Sequence, residues 1–211
     1  MAFSNSSIKT YEQCPYKYKL TRIEHKQEPS GDAANRGKMI HSEFEDALTK
    51  LMLIPDERKG WVPYLDTLVG KNTQAEVEFA ITKDWQACDF KDPVAWLRGI
   101  IDALYFQGTA AHILDWKTGK ERDYEDQLKL YAAAVLTIYP KVEQVSMEIC
   151  YIDLNKHVNH GIMLREHLPD MQAWIDNRIT KIERDDIFAP KPSLGCKWCH
   201  FRKSNGGPCQ W

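Results

Sequence analysis

Two neighbouring apolar segments in the middle of the chain constrain the fold most. Residues 95–106 (AWLRGIIDALYF) and 111–119 (AHILDWKTG) are separated by a Gln-Gly turn signal, so they predict a β-hairpin. Asp115 and Lys117 are two residues apart on the second strand, and side chains at that spacing leave the same face of a sheet. Asp102 lies on the partner strand. The hairpin therefore predicts a place where two carboxylates and an ammonium group converge.

The remaining periodicities surround this hairpin with helices and further strands. Residues 75–81 (AEVEFAI) alternate strictly between two faces, which is strand periodicity. Other helical or strand-like patterns cover, in chain order, residues 8–20 with a break at Pro15, 33–53 with an apolar stripe of Phe44, Leu48, Leu51 and Met52, 124–138, 143–154, 157–166 and 169–186. The order helix, helix, strands, helix, strands, helix indicates an α/β fold with a central mixed β-sheet flanked by helices.

Length and composition limit the number of domains and the kind of protein that the chain can form. A chain of 211 residues suffices for one core-forming domain, so we expect a single domain over residues 1–211. Apolar residues make up 43% and charged residues 27%, which argues against disorder. No apolar run is long enough to cross a bilayer, and the start of the chain lacks the apolar core of a signal peptide. We therefore expect a cytoplasmic protein without membrane partners.

The distribution of charge limits where the chain could bind a nucleic acid. The net charge is −2, so any such binding must come from local patches. Residues 1–40 carry a net charge of +3, and residues 190–211 carry +4 with no acidic residue. The segment GDAANRGK (31–38) departs from the spacing of a phosphate-binding P-loop, so we expect no nucleotide-driven motor.

The acidic residues of the hairpin suit a hard divalent cation. Mg²⁺ and Mn²⁺ prefer oxygen ligands, which Asp102, Asp115 and the backbone carbonyl of Trp116 can supply. Such a set leaves positions open for water and for a phosphate oxygen. His41 lies one helical turn after Gly37 and can add an imidazole nitrogen.

The ordered set of motifs resembles a known family. Gly37-x-x-x-His41, Gly99-Ile-Ile-Asp102, Asp115-Trp-Lys117 and Gln127-x-x-x-Tyr131 are similar, in this order, to the motif series of the RecB-type branch of the PD-(D/E)XK nucleases. Ile101 in place of proline and Asp115 in place of glutamate both fit that branch. The resemblance implies a restriction-endonuclease-like sheet and metal-dependent cleavage of DNA phosphodiesters.

The same resemblance assigns roles to single positions. It implies that His41, Asp102 and Asp115 bind the metal, that Lys117 serves the hydrolytic step, and that Gln127 and Tyr131 support the site or contact DNA. Glu76 and Glu78 have two possible interpretations, as carboxylates that support the metal site or as ordinary surface charges of a strand.

The cysteines indicate a second metal site. Because the chain lacks a secretion signal, clustered cysteines are expected to bind metal rather than to form disulfides. Cys196 and Cys199 form a chelating pair, Cys209 follows ten residues later, and Cys14 is the natural fourth ligand. The resemblance extends to CRISPR-associated and AddAB nucleases, and it implies a [4Fe-4S] cluster held by residues 1–30 and 187–211. Zinc is the alternative, because four thiolates suit it equally and His200 could replace one of them.

A cluster at this position would gather the two basic ends of the chain. The aromatic residues available there to stack on unpaired bases are Tyr16, Tyr18, Trp198 and Phe201.

The sequence as a whole predicts a metal-dependent DNA exonuclease, with some endonuclease activity open, that acts on single-stranded ends or overhangs. Recombination or CRISPR proteins are expected partners, and the oligomeric state is open. The alternative is a nucleic-acid-binding adaptor with a vestigial site. A complete set of carboxylates and the lysine favours the enzyme.

Overall fold

The computed structural model describes residues 2–50 and 52–211. Its helices are α1 (Asn5–Gln13), α2 (Pro15–Tyr18), α3 (Asp32–Thr49), α4 (Val62–Val69), α5 (Glu125–Ile138) and α6 (Leu168–Glu183). Its strands are β1 (Gln74–Ile81), β2 (Ala87–Cys88), β3 (Leu97–Gln107), β4 (Ala110–Lys117), β5 (Gln144–Tyr151) and β6 (Lys156–Leu164).

The six strands form one mixed sheet in the order β2-β1-β3-β4-β5-β6. β4 and β5 are parallel and are connected through α5, whereas the other neighbouring pairs are antiparallel. The prediction of a central mixed sheet flanked by helices is confirmed. The hairpin of β3 and β4 has Gly108 and Thr109 as its turn residues, whereas the sequence predicts Gln107 and Gly108. The turn lies one residue later because Gly108 adopts a φ of +59°, which favours glycine.

Helices cover both faces of the sheet, and each face has its own core. On one face α1, α5 and α6 pack on the sheet around Ile101, Ile113 and Val145. On the other face α3 and α4 pack around Phe44 and Trp116. This three-layer arrangement places α3 and α5 on opposite sides of β4, so side chains from both helices can reach the strand that carries Asp115.

The predicted helix over residues 33–53 ends earlier, at Thr49. Lys50 is its C-cap, and Met52 is 56% exposed, so the predicted apolar stripe does not extend that far. Leu51 lies outside the described residues. The first predicted helix breaks at Cys14, because Pro15 lacks a backbone N–H and instead opens α2.

Arg178 ties α6 to two other helices. Its guanidinium donates to Glu12 Oε1 and Oε2, each at 2.7 Å, and lies 3.2 Å from Asp126 Oδ2. The guanidinium also stacks on Trp174, with its Cζ 4.3 Å from the ring centroid. Arg178 is 9% exposed, so these contacts hold the N-terminal helix against the helix that bears Gln127.

None of the helices within residues 2–50 and 52–211 combines the length and the apolar character needed to cross a membrane.

Candidate active site

Three carboxylates lie in a row across three adjacent strands. The β1–β3 register pairs Ala75 with Ala103 and Val77 with Ile101, which places Glu76 opposite Asp102. The β3–β4 register pairs Ala103 with Leu114, and one further step places Asp102 beside Asp115. The backbone pairing of residues far apart in sequence therefore assembles the acidic cluster.

The β3–β4 ladder ends at this row. The backbone N–H of Trp116 donates to Asp102 Oδ2 at 2.7 Å, so a carboxylate takes the place of a strand partner. The other oxygen of Asp102, Oδ1, lies 3.4 Å from His41 Nδ1 on α3. Asp102 is 8% exposed, and these two contacts fix its side chain.

His41, Glu76 and Asp102 form a potential metal site. One ligand atom from each of the three lies within 4.8 Å of the other two. They line an open cleft of about 610 Å³ that also includes Gly37 and Glu45. The carboxylate oxygens suit Mg²⁺ or Mn²⁺, and the imidazole nitrogen favours Mn²⁺ of the two.

Backbone strain distinguishes Glu76 from its neighbours. Its φ is +50°, which is unusual for a side chain with a Cβ atom and rarer still within a strand. Such conformations persist where the surrounding structure enforces them, and they concentrate at functional sites. Burial, followed by the charge of Asp102, raises the pKa of Glu76. Glu78, two residues later, is exposed.

Asp115 makes a second set of contacts next to the first. Its Oδ2 pairs with Lys117, and its Oδ1 accepts a hydrogen bond of 2.8 Å from Gln127 Nε2 on α5. Gln127 Nε2 also donates to the Tyr131 hydroxyl at 3.0 Å. The structure thus brings Asp115, Lys117, Gln127 and Tyr131 together, as the two motif spacings predict.

Burial and neighbouring charges govern protonation in this cluster. Asp115 is 1% exposed, and its pKa is raised to about 7 because burial and the charge of Asp102 outweigh the opposing effect of Lys117. Burial alone would lower the pKa of Lys117, but Asp115 and Asp102 outweigh it and raise the pKa. Burial also lowers the pKa of His41, but the hydrogen bond to Asp102 together with the charges of Asp102 and Asp115 outweighs burial, so the pKa is raised. Lys117 therefore stays cationic at neutral pH.

Gly99 allows the aromatic wall of the site to close. A Cβ atom there would lie 2.7 Å from two ring atoms of Phe79 and 3.2 Å from Tyr131 Cε1. A Cβ atom on Gly37 would meet only Thr118 Oγ1, at 3.5 Å, which is an ordinary contact. The glycine required for close packing is thus Gly99, whereas the structure leaves room for a Cβ atom at Gly37.

A surface ion pair joins α3 to the segments that follow β4 and β5. Arg36, next to Gly37 on α3, donates to both carboxylate oxygens of Asp153 at 2.9 and 2.6 Å. Asp153 Oδ2 also accepts from the backbone N–H of Gly119, two residues after Lys117. The hydrogen bond from Arg36 lowers the pKa of Asp153. This pair connects the helix of His41 to the strand end of Lys117.

The structure brings some of the predicted metal ligands together and places others outside the group. His41 and Asp102 lie together, but Asp115 is outside their three-residue group and contacts Lys117 and Gln127 instead. Trp116 contributes its N–H to Asp102, and its role as a carbonyl ligand stays a prediction. Glu76 joins the group although the sequence left it open. Its position within an alternating strand is the available signal, but Glu78 carries the same signal.

The four cysteines predicted to bind a metal line one pocket. Cys14, Cys196, Cys199 and Cys209 surround a space of about 490 Å³ between α1–α2 and the C-terminal segment. The backbone N–H of Lys191 donates to Cys14 Sγ at 3.5 Å, and that of Ser193 donates to Cys196 Sγ at 3.3 Å. All six cysteines are free thiols. The donor set thus fits a thiolate-bound metal group.

The predicted stacking residues at this end of the molecule divide into two kinds. Tyr18 and Phe201 are each 4% exposed, so the prediction that they are available to bases is wrong. Tyr18 is instead stacked on Phe188, with ring centroids 6.0 Å apart. Trp198 is 75% exposed, and Tyr16 is half-buried.

A mixed sheet flanked by helices, with carboxylates and a lysine at adjoining strand ends, defines a restriction-endonuclease-like domain. The profile of the PD-(D/E)XK nuclease superfamily matches residues 2–204, and the chain belongs to this superfamily. No curated protein matches the sequence significantly.

Two solved structures are similar to the chain. A crystal structure of a candidate exonuclease from Eubacterium rectale has a TM-score of 0.55 and 11% sequence identity, covering 97% of this chain and 87% of that one. The crystal structure of SSO0001 has a TM-score of 0.48 and 16% identity, covering 100% of this chain and 87% of that one. At this identity the Eubacterium rectale protein supports the shared fold alone.

Proposed function

We propose that the protein is a RecB-type, metal-dependent DNA exonuclease that acts at single-stranded ends or overhangs. The observation that carries this proposal is the juxtaposition of two groups: His41, Glu76 and Asp102 within 4.8 Å of one another, and the buried Asp115–Lys117 pair beside them. Recombination, repair or CRISPR DNA processing are the settings in which such an activity would act.

The residues that would hold Mg²⁺ or Mn²⁺ are His41, Glu76 and Asp102, with Asp115 completing the set. A divalent cation bound there would lower the pKa of a bound water and neutralise charge on the attacked phosphate. The electrostatics of the cluster support this assignment, because the charge of Asp102 helps to raise the pKa of Glu76 and of Asp115, and a bound cation would relieve that repulsion.

The chain's own groups position the reaction. Lys117 keeps its charge through Asp115, so its ammonium can orient the attacking water and stabilise negative charge that develops on the phosphate. Gln127 holds Asp115 from the side of α5, and Tyr131 holds Gln127 in turn. Both are positioning residues, because Gln127 contacts Asp115 directly and Tyr131 acts on Asp115 through Gln127.

A nuclease assay with end-labelled DNA tests the proposal. We expect Mn²⁺ or Mg²⁺ to support cleavage and a chelator to stop it. Lys117→Ala and Asp115→Ala should each abolish cleavage and keep the fold. Lys141→Ala is the matched control, because Lys141 is exposed and follows the opposite end of α5. Cleavage by Lys117→Ala at the parental rate would refute the role of Lys117. DNA binding without cleavage in the parental protein would instead support an adaptor.

We further propose that Cys14, Cys196, Cys199 and Cys209 hold a [4Fe-4S] cluster within a subregion formed by residues 1–30 and 187–211. Two backbone N–H groups that donate to these sulfurs favour thiolates. Zinc bound tetrahedrally by the same four thiolates is the alternative.

Metal analysis separates the two cofactors. Protein prepared without oxygen should be brown and contain about four irons per chain. Cys14→Ser should lower the iron content, whereas Cys88→Ser, which changes a cysteine outside the pocket, should not. Colourless protein with one zinc would contradict the cluster.

A further inference from the structure

Two exposed indoles stand at the rim of the cysteine pocket. Trp198 is 75% exposed and Trp211 is 52% exposed, and both line the same pocket. Tryptophan is usually well buried in folded proteins, so two exposed indoles at one place indicate a contact surface.

The charged side chains that line this pocket are all cationic. They are Lys17, Lys191 and Arg202. Lys17 pairs with Glu28, and Lys191 donates to the backbone carbonyl of Glu12.

Two cations beside the indoles are free to bind a ligand. In the described part of the chain, Arg202 and Lys197 make no ion pair. Lys197 is exposed, and its Nζ lies 5.6 Å from the ring centroid of Trp198. A flat π-face is therefore presented directly next to a positive charge.

We propose that this indole surface, defined as Lys197, Trp198, Arg202 and Trp211, binds single-stranded DNA. Unpaired bases stack on the two indoles, and the phosphates contact Lys197 and Arg202. Single-stranded DNA is the occupant that the charge favours, because the charged side chains of this surface are all cationic and a strand with unpaired bases combines an anionic backbone with exposed π-faces. The inference rests on the proposed function and adds a second contact with the substrate outside the metal site.

Fluorescence anisotropy with a labelled oligothymidine of about 16 nucleotides measures this binding directly. All variants carry Lys117→Ala so that the DNA stays intact. Trp198→Ala should weaken binding about 5- to 150-fold, since stacking on one aromatic side chain has that magnitude. Lys197→Gln should reduce the slope of log affinity against log salt by about 0.7. A duplex of the same length should lose little affinity on Trp198→Ala.

Matched controls and contrary outcomes make the test decisive. Met52→Ala and Lys83→Gln change an exposed apolar and an exposed cationic side chain outside the surface, and should bind like their Lys117→Ala parent. Melting temperature and metal content confirm that each variant is folded. Unchanged affinity in both Trp198→Ala and Trp211→Ala would overturn the proposal. So would an equal loss for duplex DNA, or self-association of the protein that disappears on substitution.

The result is separable from the test of nuclease activity. A parental enzyme that cleaves DNA, combined with unchanged binding in the tryptophan variants, overturns the indole surface alone. Loss of binding in those variants, combined with no cleavage by the parental protein, supports the surface and refutes the nuclease.

Discussion

Replacing Gly99 by alanine perturbs the site at its most crowded point. The new Cβ atom would lie 2.7 Å from Phe79 Cε1 and Cζ and 3.2 Å from Tyr131 Cε1. Phe79 is 5% exposed and Tyr131 is 8% exposed, so neither ring has open space to move into. Overpacking of this kind costs about 1–3 kcal/mol. For a chain of this size, the melting temperature should fall by about 2–12 °C.

The same substitution should reduce turnover. Tyr131 holds Gln127 at 3.0 Å, and Gln127 holds Asp115 at 2.8 Å, so a displaced Tyr131 ring moves a group at the reacting centre. A misplacement of about 1 Å can cost on the order of 100-fold in rate. We expect kcat for DNA cleavage at saturating Mn²⁺ to fall about 10- to 100-fold.

Gly37→Ala is the matched control for stability. Its Cβ atom would meet only Thr118 Oγ1 at 3.5 Å, and alanine is better than glycine within a helix by up to about 1 kcal/mol. The two glycine substitutions should therefore shift the melting temperature in opposite directions. A Gly99→Ala variant that melts at or above the parental temperature and retains the parental kcat would refute the reasoning.

Three further changes test other parts of the structure. Arg178→Met should lower the free energy of unfolding in urea by about 1.5–3 kcal/mol, because a nearly buried guanidinium no longer pairs with two carboxylates; an unchanged value would contradict this. Arg36 lowers the pKa of Asp153 in the folded protein, so the ionised Asp153 side chain stabilises the fold at pH values above its unfolded-state pKa of about 3.9. This stabilisation is lost as the pH falls through the folded-state pKa of Asp153. Asp153→Asn should thus cost more stability at pH 7 than at pH 3, and an equal cost at both would refute the linkage. Glu76→Gln should weaken Mn²⁺ binding in calorimetry at least about tenfold, whereas Glu78→Gln should not; equal affinities would exclude Glu76 as a ligand.

Much of the fold and half of the site follow from local patterns. The hairpin can be predicted from the sequence because its two strands are apolar and flank a turn signal. The two-residue spacing places Asp115 and Lys117 on one face of the second strand. The four-residue spacing of Gln127 and Tyr131 similarly predicted a shared helix face. Such short-range geometry is fixed by the period of the element, so the sequence alone suffices to predict it.

The remaining features depend on contacts between residues far apart in sequence. Glu76 and Glu78 look alike within their strand, and only the pairing with Asp102 and the left-handed φ at residue 76 distinguish them. The burial of Tyr18 likewise depends on Phe188, which lies at the other end of the chain. Neither feature leaves a local pattern in the sequence.

Anomalous scattering from crystals soaked with Mn²⁺ tests most directly whether α3, β1 and β3 share one catalytic metal site. A peak within bonding distance of His41, Glu76 and Asp102 is the expected result. A peak that contacts none of these three side chains, or no peak at a saturating Mn²⁺ concentration, would contradict the account.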